Sequence, residues 1–148
     1  MTTARALTVR QPWAALIAAG LKPVENRSWP LPAGFSGPLL IHAGTKDDAE
    51  GWAVPGVREA LEATPGRLRE GAPGPLAYGA IVAVAERVTC HRAASCCADR
   101  WGEPGAWHWE LEGVTRLPSP ISATGRLGLW RPEPQAVVAA LAAPQSAG

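Results

Sequence analysis

Hydrophobic and polar positions divide the first thirty residues into three short pieces. Leu7 and Val9 flank Thr8 in a strand-like run. Pro12 suits the first turn of a helix, where its missing N–H is not needed. Trp13, Leu16, Ile17 and Gly20 then fall on one helical face, and Gly20 is a natural stop. Pro23 prevents the helix from continuing, and residues 24–29 read as a strand closed by Pro30. Alternate strand residues share a face, so Glu25, Arg27 and Trp29 point one way and Val24, Asn26 and Ser28 the other. Neither is a core face. One reading is an exposed edge strand with a surface Glu–Arg pair of small energetic weight. The other is a scaffold lending one face to a site.

Farther along, residues 30–38 form a loop by composition, and residues 39–43 (Leu-Leu-Ile-His-Ala) a nearly continuous apolar strand covered on both faces. His42 lies opposite Ile41, where a hydrogen-bonded core histidine is commoner than a catalyst. Asp47 or Asp48 can cap a helix, and residues 48–63 are helical with a break near Pro55-Gly56. Residues 64–77 read as a flexible connection. Residues 78–90 are the longest strand candidate: Ile81, Ala83 and Ala85 share one face, and Val82, Val84, Glu86, Val88 and Cys90 the other. Glu86 among valines has two outcomes. Either a bulge lets it reach water, or it enters a cleft and meets a cation such as Lys22 or Arg27. Residues 91–105 form a loop and residues 106–111 a strand. Trp107, Trp109 and Leu111 share one face of that strand, and His108 and Glu110 the other. A break follows at Leu117-Pro118-Ser119-Pro120, then a last strand at 125–131, an Ala-rich helix from Pro134 to about Leu141, and a disordered tail. There is no internal repeat. The 148 residues are expected to form one domain, its core at about 6–132.

Composition narrows the functions. The chain is 47% hydrophobic and 18% charged, with no apolar run of transmembrane length and no secretory leader pattern, so a cytoplasmic protein is expected. A net charge of +1 argues against a broad grip on duplex DNA but leaves room for a local basic pocket. Of the 14 basic residues only Lys22 and Lys46 are lysines, and Lys22 sits between the helix and the Glu-x-Arg strand. Lysine differs from arginine in losing its proton when buried, so its retention hints at chemistry. Seven tryptophans accompany one Phe and one Tyr; most should fill the core, but an indole at a pocket rim can stack on a nucleobase.

Cys90, Cys96 and Cys97 lie near His91 and His108, yet show neither Cys-x-x-Cys nor His-x-x-x-His spacing. Reduced, partly buried thiols are expected, with no metal or cofactor. Phosphate-cradling loops, dinucleotide fingerprints, nucleophile elbows and His-Glu-x-x-His are absent from the sequence.

Leu7-Thr8-Val9-Arg10-Gln11-Pro12-Trp13, followed by Gly20-Leu21-Lys22-Pro23-Val24-Glu25-Asn26-Arg27, resembles the opening of the ASCH domain family, whose fold is similar to the PUA domain. Residues 37–43, 79–84 and 125–130 resemble later family strands. The resemblance implies an α+β fold, a small, mostly antiparallel β-barrel flanked by short helices, with a cleft beside the Lys-x-x-Glu-x-Arg segment. It also implies binding of RNA or modified nucleosides there. Arg10, Gln11, Trp13, Lys22, Glu25, Asn26, Arg27, Trp29 and His42 are the candidate ligand contacts. Some members resemble amidohydrolases that deacylate N4 of cytidine with a lysine, a threonine and a glutamate; others look like ribonucleases. Lys22 matches the lysine, Glu25 stands at the threonine position, and Glu86 aligns with the glutamate. Three functions follow: a nucleotide- or RNA-binding pocket, a hydrolase using Lys22, Glu25 and Glu86, and a protein-interaction module with an idle cleft.

Overall fold

A computed structural model describes residues 4–63, 76–92, 97 and 100–142. The chain runs β1 (Arg5–Gln11), α1 (Trp13–Ala18), β2 (Val24–Arg27), β3 (Leu39–Asp47), α2 (Ala49–Trp52), α3 (Val57–Glu62), β4 (Ala80–Arg92), β5 (Trp107–Ser122), β6 (Leu129–Trp130) and α4 (Pro134–Ala142). This is an α+β fold with short helices around one six-stranded sheet, ordered β2-β5-β4-β3-β1-β6. All neighbours are antiparallel except β1 and β3, which pair in parallel from Arg5↔Leu39 to Val9↔Ala43. Parallel neighbours need a crossover, and α1 with β2 supplies it.

Alternation sends residues to two apolar layers. Leu7, Val9, Leu39, Ile41, Ala83, Ala85, Trp109 and Leu111 share a cluster with Ala14, Ile17 and Ala18 of α1. Ala6, Leu40, Ile81, Val84 and Leu117 join Ala136, Val137 and Ala140 of α4 on the other side. The outer side of α1, Ala15 and Leu16, packs on Val57 and Leu61 of α3. Covered on two sides, α1 is buried from Ala14 to Ala18, so the segment that follows it starts from a fixed point.

Several expectations are corrected. Among the described residues the hydrogen-bonded ladder ends at β2 and β6 and does not close into a barrel. The sheet does curl, for Arg27 on edge strand β2 donates to Thr8 O on β1 at 2.7 Å. β5 runs through the proposed break at Pro118 and Pro120. The register jumps from Ala83↔Arg116 to Ile81↔Ile121, so both prolines fall where the ladder does not use their missing N–H. The last strand shrinks to Leu129–Trp130, and the segment before it is loop. Pro55-Gly56 separates α2 from α3 as expected, with Gly56 at φ 87°. The expected connection at 64–77 lies largely, and the expected tail at 144–148 wholly, outside the described residues. Among described residues no helix is long and apolar enough to cross a membrane.

Candidate functional site

The Lys22–Arg27 segment lies where the buried helix ends and the sheet's edge begins. Gly20, at φ 78°, turns the chain out of α1. Backbone N–H groups of Leu21 and Lys22 both donate to Leu16 O, at 3.0 and 3.2 Å, so the turn is tied to the helix. β2 then pairs with β5 in the register Val24↔Glu110 to Arg27↔Trp107.

This geometry draws three charges together. Lys22 is 1% exposed, and its ammonium donates to Val24 O and to Glu25 Oε1, the latter at 3.3 Å. Glu25 Oε2 takes Arg27 NH2 at 3.0 Å, and the same nitrogen reaches Thr8 O. Glu25 thus holds two cations, one on each oxygen. Removing charges from water is costly and is tolerated when each is paired and hydrogen-bonded. Arg27 Nε is the exception: among described residues it is the one buried side-chain nitrogen or oxygen without a hydrogen-bond partner. Such a donor is costly unless water or a ligand meets it.

The triad lies at one wall of a hollow of about 1060 Å³. Trp13 forms a second wall. Its ring lies 5.2 Å from Lys22 Nζ, and its indole N–H donates to Asp48 Oδ2 at 2.8 Å. That bond holds the Asp48 carboxyl below its usual range, with smaller help from the amides of Gly51 and Glu50 and from Arg10, against an opposing effect of burial. A Cβ at Gly51 would lie 2.7 Å from Trp13 Nε1, so only glycine lets α2 approach this edge of the indole. Arg10 and Arg126 add cationic side chains to the lining, and Glu103 a carboxylate.

The far wall is polar and ordered. His42 is 1% exposed; its Nε2 donates to Ala123 O at 2.7 Å, and its Nδ1 lies 3.2 Å from Thr8 Oγ1, a hydroxyl that also reaches Arg126 O at 3.3 Å. Trp130 Nε1 donates to the same hydroxyl at 3.1 Å. A Cβ at Gly125 would come within 2.7 Å of His42 Cε1 and 2.8 Å of Thr8 Oγ1. Glycine there brings the 123–128 loop against the strands and shapes the hollow.

Of the sequence-predicted residues, Arg10, Trp13, Lys22, Glu25, Asn26, Arg27 and His42 line this hollow. Gln11, Trp29 and Glu86 do not. Gln11 is 1% exposed and holds structure: its amide donates to Ala77 O at 2.9 Å and its carbonyl accepts from Ala15 N at 2.9 Å. Trp29 follows the end of β2 and stands edge-on to Trp109 at 4.9 Å, packed against the core. Glu86 is exposed next to exposed Arg87, so the alternation that placed it among buried valines fails there. Its carboxylate sits where a Cβ on Gly113, at φ 62°, would come within 2.7 Å. Of its two outcomes, exposure to water is observed, but without the expected bulge, for the register runs evenly from Ala85↔Val114 to Arg87↔Glu112. Asn26 lines the hollow but is also committed to the wall: Nδ2 donates to Trp101 O and Oδ1 accepts from Glu103 N, both at 2.9 Å.

Sequence reasoning missed Thr8 and Asp48 as wall residues, as well as Arg126 and the 123–128 loop. Thr8 was visible inside the first motif. Arg126 carried no signal, because its segment reads as a strand and lies about a hundred residues from the motif it faces.

A model of the ASCH domain family matches residues 7–104, from β1 through the loop after β4. No curated protein matches the chain. ASCH domains are generally considered RNA-binding domains of PUA-like fold.

Proposed function

This chain belongs to the ASCH domain family, and we propose that its hollow binds one nucleotide of a single-stranded or structured RNA, or a free modified nucleoside. The observation that carries this reading is the Lys22–Glu25–Arg27 triad beside the Trp13 ring. Lys22 is almost sealed from water, so it orients Glu25 and does not itself reach a phosphate. Glu25 in turn fixes the guanidinium of Arg27, whose side chain is 22% exposed. A fixed fork suits a phosphate or a base carbonyl. Trp13 supplies a face for stacking, as single-stranded RNA recognition uses aromatic planes. Arg10 and Arg126 stand where flanking phosphates would pass. With so few cations, affinity should depend weakly on salt, with a slope of about one or two.

Binding of a short fluorescent single-stranded RNA, read by anisotropy, tests this. Arg27→Ala should weaken it roughly tenfold to a hundredfold, the range of a charged hydrogen bond. Arg87→Ala, on the outer surface, should leave it unchanged. Equal affinity of wild type and Arg27→Ala would refute the site.

Hydrolysis of an N-acylated nucleoside or of RNA is the second reading, favoured by the lysine–carboxylate contact of Lys22 with Glu25 at 3.3 Å. It weakens because Glu86 lies outside the hollow and Glu25 stands where the related amidohydrolases have threonine. Release of acetate from N4-acetylcytidine by wild type and not by Lys22→Ala would establish it over binding alone.

A further inference from the structure

On the other face of β5 from Trp109, a second group of side chains converges. His91 on β4 and His108 on β5 are direct cross-strand partners, with ring centroids 5.1 Å apart. Cys97, between the two strands in sequence, lies against them, with Sγ 3.7 Å from His91 Nε2. One ligand atom from each of the three lies within 4.8 Å of the others. We propose that His91, Cys97 and His108 form a binding site for a divalent zinc-type cation that fastens Cys97, and the turn at residues 100–103 bonded to it, to the sheet.

The spacing fits. Zinc bonds of about 2.3 Å to sulfur and about 2.0–2.1 Å to nitrogen at a tetrahedral angle set a sulfur–nitrogen separation of about 3.6 Å. The donors fit too, since imidazole and thiolate together favour zinc over magnesium or calcium. His108 donates from Nε2 to Glu103 O at 2.7 Å, so its lone pair is on Nδ1. Ligating histidines characteristically donate their other ring nitrogen in this way. Around the sulfur, Arg100 NH2 donates to Cys97 Sγ at 2.9 Å and to Glu110 Oε1 at 3.2 Å. Glu110 stays paired with Arg100, so a water would fill the fourth corner.

The loop is built on the same residue. Arg100 N and Gly102 N both donate to Cys97 O, at 3.0 and 2.7 Å. Cys97 holds φ 67°, uncommon for a residue other than glycine. Beyond this turn, Trp101 meets Trp13 at 6.4 Å and accepts from Asn26, while Glu103 N donates to Asn26. A cation here would therefore steady one wall of the hollow without entering it.

Elemental analysis of the untagged full-length protein, purified from zinc-supplemented cells, tests the site. One zinc per chain is expected in wild type and in Cys90→Ser, and Cys97→Ser or His108→Ala should weaken zinc binding by roughly a hundredfold or more. Chelation should lower Tm in wild type and leave Cys97→Ser unmoved. Should the variants fail to fold, cobalt(II) added to metal-stripped wild type should give a thiolate-to-cobalt charge-transfer band. Absence of that band, or full zinc occupancy in Cys97→Ser, would overturn the proposal.

Discussion

Glu25 with Arg27 and Glu112 with Arg87 are the same two residue types paired within one sheet, yet they do different work. Arg87 and Glu112 face each other across β4 and β5 at 3.7 Å, with side chains 68% and 53% exposed. Water solvates both ions separately almost as well as they solvate each other, so the contact contributes little. Glu25 sits at 10% side-chain exposure between Arg27 and the sealed Lys22. There each charge depends on its partners, and loss of one leaves another stranded. Burial gives the Glu25–Arg27 pair its fixed geometry, and fixed geometry is what a binding site needs. The exposed pair has the chemistry without the preorganisation.

The largest effect that would break or sharpen this contrast is at Glu25. Glu25→Ala should cost about 3–5 kcal/mol in urea-induced unfolding, because two cations lose their common counter-ion. A cost no greater than that of Glu112→Ala would erase the distinction. Next comes the Trp13 wall. Trp13→Phe removes the indole N–H from Asp48 and should cost about 1 kcal/mol. The same bond has a signature in acid. The folded Asp48 carboxyl is depressed from its ordinary 3.8, so its contribution is complete above that value and disappears as pH falls through the lower folded one. Thermal melts from pH 5 downward should show wild type losing stability more steeply than Trp13→Phe. Identical slopes would mean that the indole does not hold this carboxylate. The smallest effect is the control: Arg87→Ala and Glu112→Ala should each change stability by less than about 0.5 kcal/mol, and high salt should abolish even that.

The helix that leads to the site was legible residue by residue. Pro12, the apolar spacing Trp13, Leu16, Ile17, and Gly20 are local signals, and local backbone sterics enforce them. The shared direction of Glu25 and Arg27 was legible for the same reason, since two residues apart on a strand means one face. Trp29 failed by the same rule, because β2 ends at Arg27 and alternation does not extend past the strand. Glu86 failed because alternation breaks at two adjacent exposed residues opposite Gly113. The cysteine–histidine group lacks metal spacing along the chain, which is the only direction the spacing rule looks. Its members meet through strand pairing and the placement of Cys97 against the two strands.

By itself, then, the sequence determined the short-range features: where α1 starts and stops, which residues of β2 share a face, and the family to which residues 7–104 belong. Tertiary structure decided everything that needs two distant segments to meet. It buried Lys22, set Arg27 against Thr8, laid Gly125 over His42 and brought Cys97 beside His91 and His108. The physical reason is that sterics and alternation act over a few residues. The strength of a charge or a donor, by contrast, is set by how much water the rest of the fold removes from around it.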